Sequence, residues 1–179
     1  FAFDGLDNGT AYKLSVSSIN ALGASPESAG WVITPTDHTV FNGGFEGGFQ
    51  GWAVTDGNSP SLISNAGSAF SEGKWAAHLF PGGGSVQQTI TVPSGSGASL
   101  TLSAKVPGTQ NGEVAPLIVE IRDAGGAVLE QKTVTVQRSF GTHTVDLSAY
   151  MGRQVDLRLA HGAAAGRTIY LDAVKVTVR

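Results

Sequence analysis

Apolar and polar residues alternate with a period of two along most of the chain, and the period of an amphipathic helix is almost absent. Glycine accounts for 25 of the 179 residues, and Thr, Ser and Val are frequent, which also favours strands and turns. Clusters such as PGGGS, TQNGE and RDAGG separate the alternating runs. The runs predict strands at Tyr12–Ile19, Gly30–Thr34, Lys74–Phe80, Val86–Val92, Ser99–Val106, Pro116–Arg122, Lys132–Val136, Thr142–Leu147, Gln154–Ala160 and Thr168–Val178. Strands at this spacing predict an all-β fold, an antiparallel β-sandwich.

In the later strands, every second residue is apolar, and the residues between are polar or charged. We call each of these two alternating sets of positions a parity. The apolar parity, which we expect to face the core, is Leu100, Leu102, Ala104, Val119, Ile121, Val145, Leu147, Val155, Leu157 and Leu159. The opposite parity, which we expect to face solvent, is Thr101, Ser103, Lys105, Glu120, Arg122, Thr144, Asp146, Asp156 and Arg158. Within this second set, Glu120, Arg122, Asp156 and Arg158 are candidates for hydrogen bonds to sugar hydroxyls. Cross-strand ion pairing is the alternative.

The last predicted strand changes the parity of its apolar residues. Ile169 and Leu171 share one parity, whereas Val174 and the two valines that follow it share the other. This change predicts a β-bulge at Asp172-Ala173. Because bulges redirect side chains, the carboxylate of Asp172 could point at an ion there.

A glycine-rich motif, NGGFEGGFQGW at residues 42–52, surrounds the single acid Glu46. Glycine lets backbone carbonyls turn toward an ion without a Cβ in the way, and Ca²⁺ prefers oxygen ligands. The alternative is that Glu46 caps a turn. We expect Trp52, which ends the motif, to pack in the core.

Composition and charge exclude several classes of function. Charged residues make up 14% of the chain, the net charge is −3, and no Lys/Arg run is present, so neither nucleic acid nor an anionic membrane is a favoured partner. No apolar run approaches the ~20 residues of a membrane-spanning helix. The chain has no cysteine, and its four histidines are scattered, which disfavours a zinc site. Since a serine nucleophile motif is also missing, we predict a non-catalytic protein.

The beginning of the chain, GLDNGTAYKLSVSSINALGASPESAGWVITP, resembles the second half of a fibronectin type III domain. Leu6, Gly9, Thr10 and Tyr12 match the tyrosine corner of that family. The resemblance implies that residues 1–35 are the C-terminal part of such a domain and that residues 36–40 are a linker. A hairpin cannot bury its own apolar face, so either the rest of that domain lies upstream or the hairpin packs against a neighbour. The chain does not begin with Met, and we expect it to be a piece of a longer protein.

Residues 41–179 resemble the jelly-roll carbohydrate-binding modules of secreted polysaccharide-degrading enzymes. The motifs NGGFEGGFQGW, SEGKWAAHL, VQQTITV and IYLDAVKVTV occur in the order that this family shows. The resemblance implies one structural calcium ion bound by Glu46 and Asp172, with carbonyls near Gly44 and Lys74. The alternative is that Glu46 caps a turn and that Asp172 accepts backbone N–H bonds at the bulge.

These observations predict a non-catalytic glycan-binding or adhesion module of a larger extracellular or secreted protein. The alternative is a structural or host-surface-binding domain of a phage tail or fibre, or of a bacterial surface protein, located in the virion or at the cell surface and trimeric in a fibre. The candidate carbohydrate-binding residues are Glu120, Arg122, Arg158 and Tyr150. The aromatic residues at loop tips, which either contact a ligand or plug an end of the sandwich, are Phe49, Phe80, Phe140 and Tyr150. Since no exposed aromatic platform is evident, we expect weak glycan binding or none.

Overall fold

The computed structural model describes residues 11–21, 23–33, 39–65, 69–108 and 113–178. The chain divides into two compact units, residues 1–37 and residues 38–179. In the part of the chain that the structure describes, no helix has the length and apolar character needed to cross a membrane.

The first unit contains two short antiparallel pairs of strands. The pairs join β1 (Tyr12–Leu14) to β4 (Trp31–Ile33), and β2 (Ile19–Asn20) to β3 (Gly23–Ala24). The continuous strand predicted over Tyr12–Ile19 was wrong, because the chain between β1 and β2 bonds to serine hydroxyls. The N–H of Val16 donates to Ser28 Oγ, and the N–H of Ser18 donates to Ser25 Oγ, each at 3.0 Å. Leu6, Gly9 and Thr10 lie outside the described residues, and the fibronectin type III assignment stays a prediction.

The second unit is a sandwich of two five-stranded antiparallel sheets. Its strands are β5 (Ala53–Thr55), β6 (Leu62–Ser64), β7 (Ala76–Leu79), β8 (Ser85–Thr91), β9 (Ala98–Lys105), β10 (Ala115–Arg122), β11 (Val128–Val136), β12 (Gly141–Asp146), β13 (Gln154–His161) and β14 (Ile169–Val178). Sheet I has the order β11-β10-β13-β8-β5, and sheet II has the order β12-β9-β14-β7-β6. A single turn of 3₁₀ helix, Ser148–Tyr150, precedes β13. The predicted β-sandwich jelly roll is confirmed.

The core lies between the two sheets and consists of the apolar parity predicted from the sequence. Leu100 of sheet II and Leu157 of sheet I, for example, are completely buried and belong to this core. Burying each such side chain contributes about 1.5–3 kcal/mol of stability. Alternation of apolar and polar residues therefore explains how both sheets form and why they pack.

The polar parity lies on two separate outer surfaces. Glu120 and Arg158 are on β10 and β13 and face outward from sheet I, whereas Thr101 and Thr144 are on β9 and β12 and face outward from sheet II. The sequence pattern shows which residues point outward but not which strands share a sheet. Of the candidate residues for sugar contact, Glu120, Arg122 and Arg158 belong to sheet I.

Candidate functional site

The opening segment, residues 39–52, forms consecutive turns and no strand. Asn42 and Phe45 adopt positive φ angles of 51° and 56°, which bend the chain sharply. Phe45 is fully buried, and its ring stacks on Trp52 with a centroid distance of 5.4 Å. The indole N–H of Trp52 donates to the carbonyl of Asn42 at 3.1 Å. The predicted core position of Trp52 is therefore confirmed.

Gly43 brings this opening segment against β14. The N–H of Val174 donates to the carbonyl of Gly43 at 2.9 Å. A Cβ on Gly43 would lie 1.9 Å from the carbonyl oxygen of Val174, so only glycine permits this approach. The two ends of the jelly roll therefore lie side by side, and the opening segment reaches β14 through turns and not as a strand.

The predicted bulge in β14 is confirmed. The register between β14 and β9 shifts between Asp172 and Lys175, and Ala173 has a φ of 51°. The Asp172 carboxylate is completely buried and accepts four hydrogen bonds. Oδ2 accepts from the Ser71 N–H at 2.6 Å, the Ser71 hydroxyl at 2.9 Å and the Glu72 N–H at 2.9 Å, and Oδ1 accepts from the Ala173 N–H at 2.7 Å. The bulge thus directs Asp172 into the loop that precedes β7.

Glu46 also binds this loop, two to three residues further along the chain than Asp172 does. Its Oε1 accepts the N–H of Lys74 at 2.7 Å and the N–H of Trp75 at 2.9 Å. Gly73 has a φ of 63°, and a Cβ there would lie 2.2 Å from Oε1 of Glu46. Backbone N–H groups of residues 71–75 therefore donate hydrogen bonds to both Asp172 and Glu46, which are distant in sequence.

Three acidic residues lie near Gly44. A Cβ on Gly44 would lie 3.6 Å from Glu72 Oε1, 3.9 Å from Asp172 Oδ1 and 3.9 Å from Glu46 Cγ. The structure brings the predicted pair, Glu46 and Asp172, to one place and adds Glu72, which the sequence analysis missed. Lys74 contributes its backbone N–H. We refer to Glu46, Glu72 and Asp172 as the acidic cluster.

The acidic cluster offers only oxygen donors, which suits calcium. None of its carboxylates forms a salt bridge with a described residue. Within residues 11–178, apart from the gaps given above, no group of three His, Cys, Asp or Glu side chains has the geometry of a metal site. The hydrogen bonds to Glu46 and Asp172 are those of the alternative prediction, a turn cap and an acceptor at the bulge. The calcium ion stays a prediction.

On the outer surface of sheet I, the structure brings Glu120, Arg122 and Arg158 into contact. Glu120 Oε2 accepts from Arg122 Nε at 2.9 Å and Nη2 at 2.6 Å, and from Arg158 Nη1 at 3.1 Å. Glu120 is 7% exposed, so two guanidinium groups compensate one largely buried carboxylate. The ion pairing that the sequence analysis gave as the alternative is present. We call these three residues the charged cluster.

The sequence analysis missed two further polar residues of this surface, Gln87 and Thr89, which bind the candidate residue Asp156. Asp156 accepts from Gln87 Nε2 at 3.2 Å and from Thr89 Oγ1 at 2.5 Å. These contacts follow from the pairing of β8 with β13, which places Arg158 opposite Gln87. No local signal in the sequence shows that β8 and β13 are neighbours, so these partners could not be identified from the pattern alone.

The structure does not bring Tyr150 to the charged cluster. Tyr150 packs in the core with 7% exposure, and its hydroxyl donates to Glu130 Oε2 at 3.0 Å. Burial and the Glu130 carboxylate raise the pKa of this hydroxyl. Tyr150 sits next to β13 in a 3₁₀ turn whose apolar surface is needed for packing, and this is why it faces inward.

A shallow groove lies beside the charged cluster, at the end of sheet I where β8 begins and β13 ends. Its volume is about 460 Å³. The groove is lined by Gly82, Gly83, Ile118, Arg158, Ala160, His161, Gly162, Ala163 and Ala164. Most of these side chains are small, so the backbone forms much of the wall. Its size is within the range of small-ligand sites.

The outer surface of sheet II carries a row of aromatic and cationic side chains that the sequence analysis did not predict as a group. The rings of His78 and Tyr170 stack at 3.9 Å, and Lys105 Nζ lies 5.7 Å from the centroid of Tyr170 and 4.9 Å from that of Phe140. Burial lowers the pKa of His78 to about 4 and also lowers the pKa of Lys105. Strand pairing explains the row, since Tyr170 lies opposite both His78 and Lys105.

No protein-family model matches the sequence, and no curated protein matches it. Solved structures share the fold. A family 61 carbohydrate-binding module in complex with β-1,4-galactotriose is 15% identical, with a TM-score of 0.64 over 80% of this chain and 100% of that chain. A family 16 carbohydrate-binding module is 19% identical, with a TM-score of 0.56 over 78% of this chain and 99% of that chain.

A phage protein also shares the fold. The enzymatically active domain of tailspike protein 4 of bacteriophage CBA120 is 14% identical, with a TM-score of 0.60, and the match covers 79% of this chain but 21% of that chain. At these identities the likeness shows the fold. The second unit is therefore a jelly-roll β-sandwich similar to those of carbohydrate-binding modules.

Proposed function

We propose that residues 38–179 form a non-catalytic glycan-binding module of a larger extracellular or secreted protein. The observation that carries this proposal is the polar outer surface of sheet I, where the charged cluster borders a groove of about 460 Å³. Support also comes from the shared fold, because one similar module was solved with a bound galactotriose. The ligand would be a polysaccharide or a cell-surface glycan.

Hydrogen bonding is the means by which this surface would hold a sugar. Gln87, Thr89 and Asp156 extend the charged cluster across three neighbouring strands. Among the described outward residues of sheet I there is no aromatic side chain on which a pyranose ring could stack. We therefore expect weak binding, with a Kd of about 1 mM, which corresponds to about −4 kcal/mol.

A glycan array followed by affinity gels tests this function. The variant Glu120→Ala/Arg122→Ala/Arg158→Ala removes the charged cluster and should lose binding. The matched control, Ser103→Ala/Thr144→Ala, changes outward residues of sheet II and should bind like the parent. Thermal unfolding of both variants shows whether the fold is intact. No binding of the parent protein to any glycan, or equal binding by both variants, would contradict the proposal.

We also propose that one calcium ion binds the acidic cluster. In support, Glu46, Glu72 and Asp172 all lie near Gly44, and none of them forms a salt bridge with a described residue. Carbonyls near Gly44 and Lys74 would add ligands. When bound, the ion would neutralise part of this negative charge and tie the opening segment to β14.

Chelation tests the calcium proposal. A ligand that binds only the folded state raises the unfolding midpoint, so the chelator EGTA should lower the midpoint and added calcium should restore it. The variant Glu46→Gln should respond much less to the chelator. An unchanged midpoint in the parent protein would exclude the ion.

The second candidate function is a structural or host-surface-binding domain of a phage tail or fibre. Two observations favour it: the similarity to a phage tailspike domain, and the exposed Val128 and Leu129 on β11, an edge strand of sheet I. Exposed apolar residues on an edge strand suit contact with another chain. Light scattering and the glycan array together decide between the candidates. A fibre component should be trimeric by light scattering and should not bind the array glycans, whereas an appended module should be monomeric.

A further inference from the structure

We propose that the groove of sheet I takes a glycan that carries carboxylate groups, such as a chain of uronic acids, and that Arg158 pairs with one of these carboxylates. This inference rests on the glycan-binding function proposed above and adds the chemical class of the glycan. It depends on three features: the charge of the groove, the bonding of Arg158 and the shape of the walls.

The groove carries a positive charge. Among the described residues that line it, Arg158 is the one charged side chain. Both ring nitrogens of His161 have partners within the protein, because its Nδ1 accepts the N–H of Ala163 at 3.1 Å and its Nε2 lies 2.7 Å from the carbonyl of Arg167. A ligand in the groove meets one cation and no lining carboxylate.

Arg158 is only partly compensated by Glu120. Arg122 approaches Glu120 Oε2 with two nitrogens, the nearer at 2.6 Å, whereas Arg158 reaches the same oxygen with Nη1 alone at 3.1 Å. The other N–H groups of Arg158 donate to none of the described residues, and its side chain is 20% exposed. One carboxylate thus serves two guanidinium groups, and Arg158 keeps donors for a ligand.

A carboxylate fits these donors better than a hydroxyl does. The planar guanidinium group presents pairs of N–H groups that match the two oxygens of a carboxylate. A neutral sugar would displace water from the guanidinium group without supplying a countercharge, which makes the burial of that charge unfavourable. The groove therefore favours an acidic glycan.

The walls leave room for a sugar ring beside Arg158. The wall is made of two segments, Gly82–Gly83 and Gly162–Ala164, which are joined by a hydrogen bond from the Gly82 N–H to the Ala163 carbonyl at 2.8 Å. A Cβ on Gly83 would have no neighbour within 4 Å, so the space above this wall is open. Small side chains allow a pyranose ring to lie against the backbone and to bring its carboxylate to the guanidinium group.

Matched pairs of acidic polysaccharides and their carboxyl-reduced forms test the inference. Polygalacturonate, alginate and hyaluronate, each with its reduced form, are titrated against the full chain. We expect at least one acidic polymer to bind about tenfold or more tightly than its reduced form, and added NaCl to weaken this preference. If both forms of every pair bind equally, or if only other, neutral glycans bind, the inference is wrong and the glycan-binding function stands. If no glycan binds at all, the proposed function itself fails.

Substitution of Arg158 locates the effect. Arg158→Gln should abolish the preference for the acidic form, so that both forms bind about equally. Arg158→Lys keeps the charge but loses the paired N–H groups of the guanidinium, and it should keep a small part of the preference. The control Arg153→Gln changes net charge equally at an arginine outside the groove, above the ring of Tyr150. If Arg153→Gln and Arg158→Gln behave alike, net charge and not the groove determines binding, and the inference is wrong.

A second pair of variants leaves the charged cluster intact. Ala164 is exposed on the groove wall. Ala164→Asp should weaken binding of the acidic polymer about tenfold by like-charge repulsion, whereas Ala164→Asn, which has nearly the same shape, should weaken it much less. Equal effects of these two substitutions would contradict the proposal even if the Arg158 variants fail to fold.

Discussion

At the scale of single residues, Asp172 links the bulge of β14 to the loop that precedes β7. Its carboxylate is completely buried, and Oδ2 alone accepts hydrogen bonds from two backbone N–H groups and one hydroxyl. Asparagine at this position would supply one acceptor oxygen and would place an NH₂ group where a donor now points. We expect Asp172→Asn to lower the free energy of unfolding by about 3 kcal/mol.

Urea unfolding in the presence of EGTA measures this effect apart from any bound ion. The control is Asp156→Asn, which changes a half-buried carboxylate on the outer surface of sheet I and should cost less than about 1 kcal/mol. Similar losses in the two variants would mean that the buried hydrogen bonds of Asp172 do not contribute as inferred.

Two adjacent glycines in the opening segment should respond differently to alanine. A Cβ at position 43 would lie 1.9 Å from a backbone oxygen of β14, whereas one at position 44 would find its nearest neighbour at 3.6 Å, which is ordinary contact. We expect Gly43→Ala to cost about 2–3 kcal/mol, because the hydrogen bond from Val174 to Gly43 must lengthen, and Gly44→Ala to cost less than about 1 kcal/mol. Urea unfolding with EGTA compares the two, and equal costs would contradict the close approach.

At the scale of elements, the row on sheet II makes stability depend on pH through His78. Burial lowers the pKa of His78 from 6.5 to about 4 in the folded state. Between these values the unfolded chain binds a proton and the folded chain does not. The stabilisation is therefore complete above about pH 6.5 and is lost as the pH falls toward 4.

The difference between the parent protein and His78→Gln isolates this dependence from that of the carboxylates. The parent should lose about 2–3 kcal/mol more than the variant between pH 7 and pH 4, at about 1.4 kcal/mol for each unit of pKa shift. Parallel stability curves for the two proteins would show that His78 does not titrate as inferred.

The elements also show how far the sequence pattern reaches. Parity along β14 located the bulge at Asp172, and the glycine-rich motif singled out Glu46, because both are local signals. The three-residue edge strands β5 and β6 were missed, since so few residues carry no recognisable period. The partners of the candidate site depend on strand order: β8 lies beside β13 although the two are far apart along the chain, and parity carries no information about such pairing.

At the scale of the whole molecule, the two units differ in how well they bury their apolar residues. The described residues of the first unit leave large apolar side chains in solvent, with Trp31 67% and Ile19 81% exposed. The hydrophobic core cluster is drawn entirely from residues 40–178. The fibronectin type III assignment of the first unit stays a prediction. Its described strands have only two or three residues each, so the alternation of apolar and polar residues predicted them less well than the longer strands of the second unit.

Because its core is self-contained, the second unit should fold without the first. We expect a fragment of residues 38–179 to unfold cooperatively, with a midpoint within about 3 °C of the matching transition of the full chain, which corresponds to a loss of less than about 1 kcal/mol. Calorimetry of the fragment and the full chain measures this difference. A fragment with dispersed amide signals in NMR and the same glycan affinity as the full chain would assign the binding to the jelly roll alone. A fragment that is unfolded, or whose midpoint falls by more than about 10 °C, would show that residues 1–37 stabilise the sandwich and that the two units cannot be treated separately.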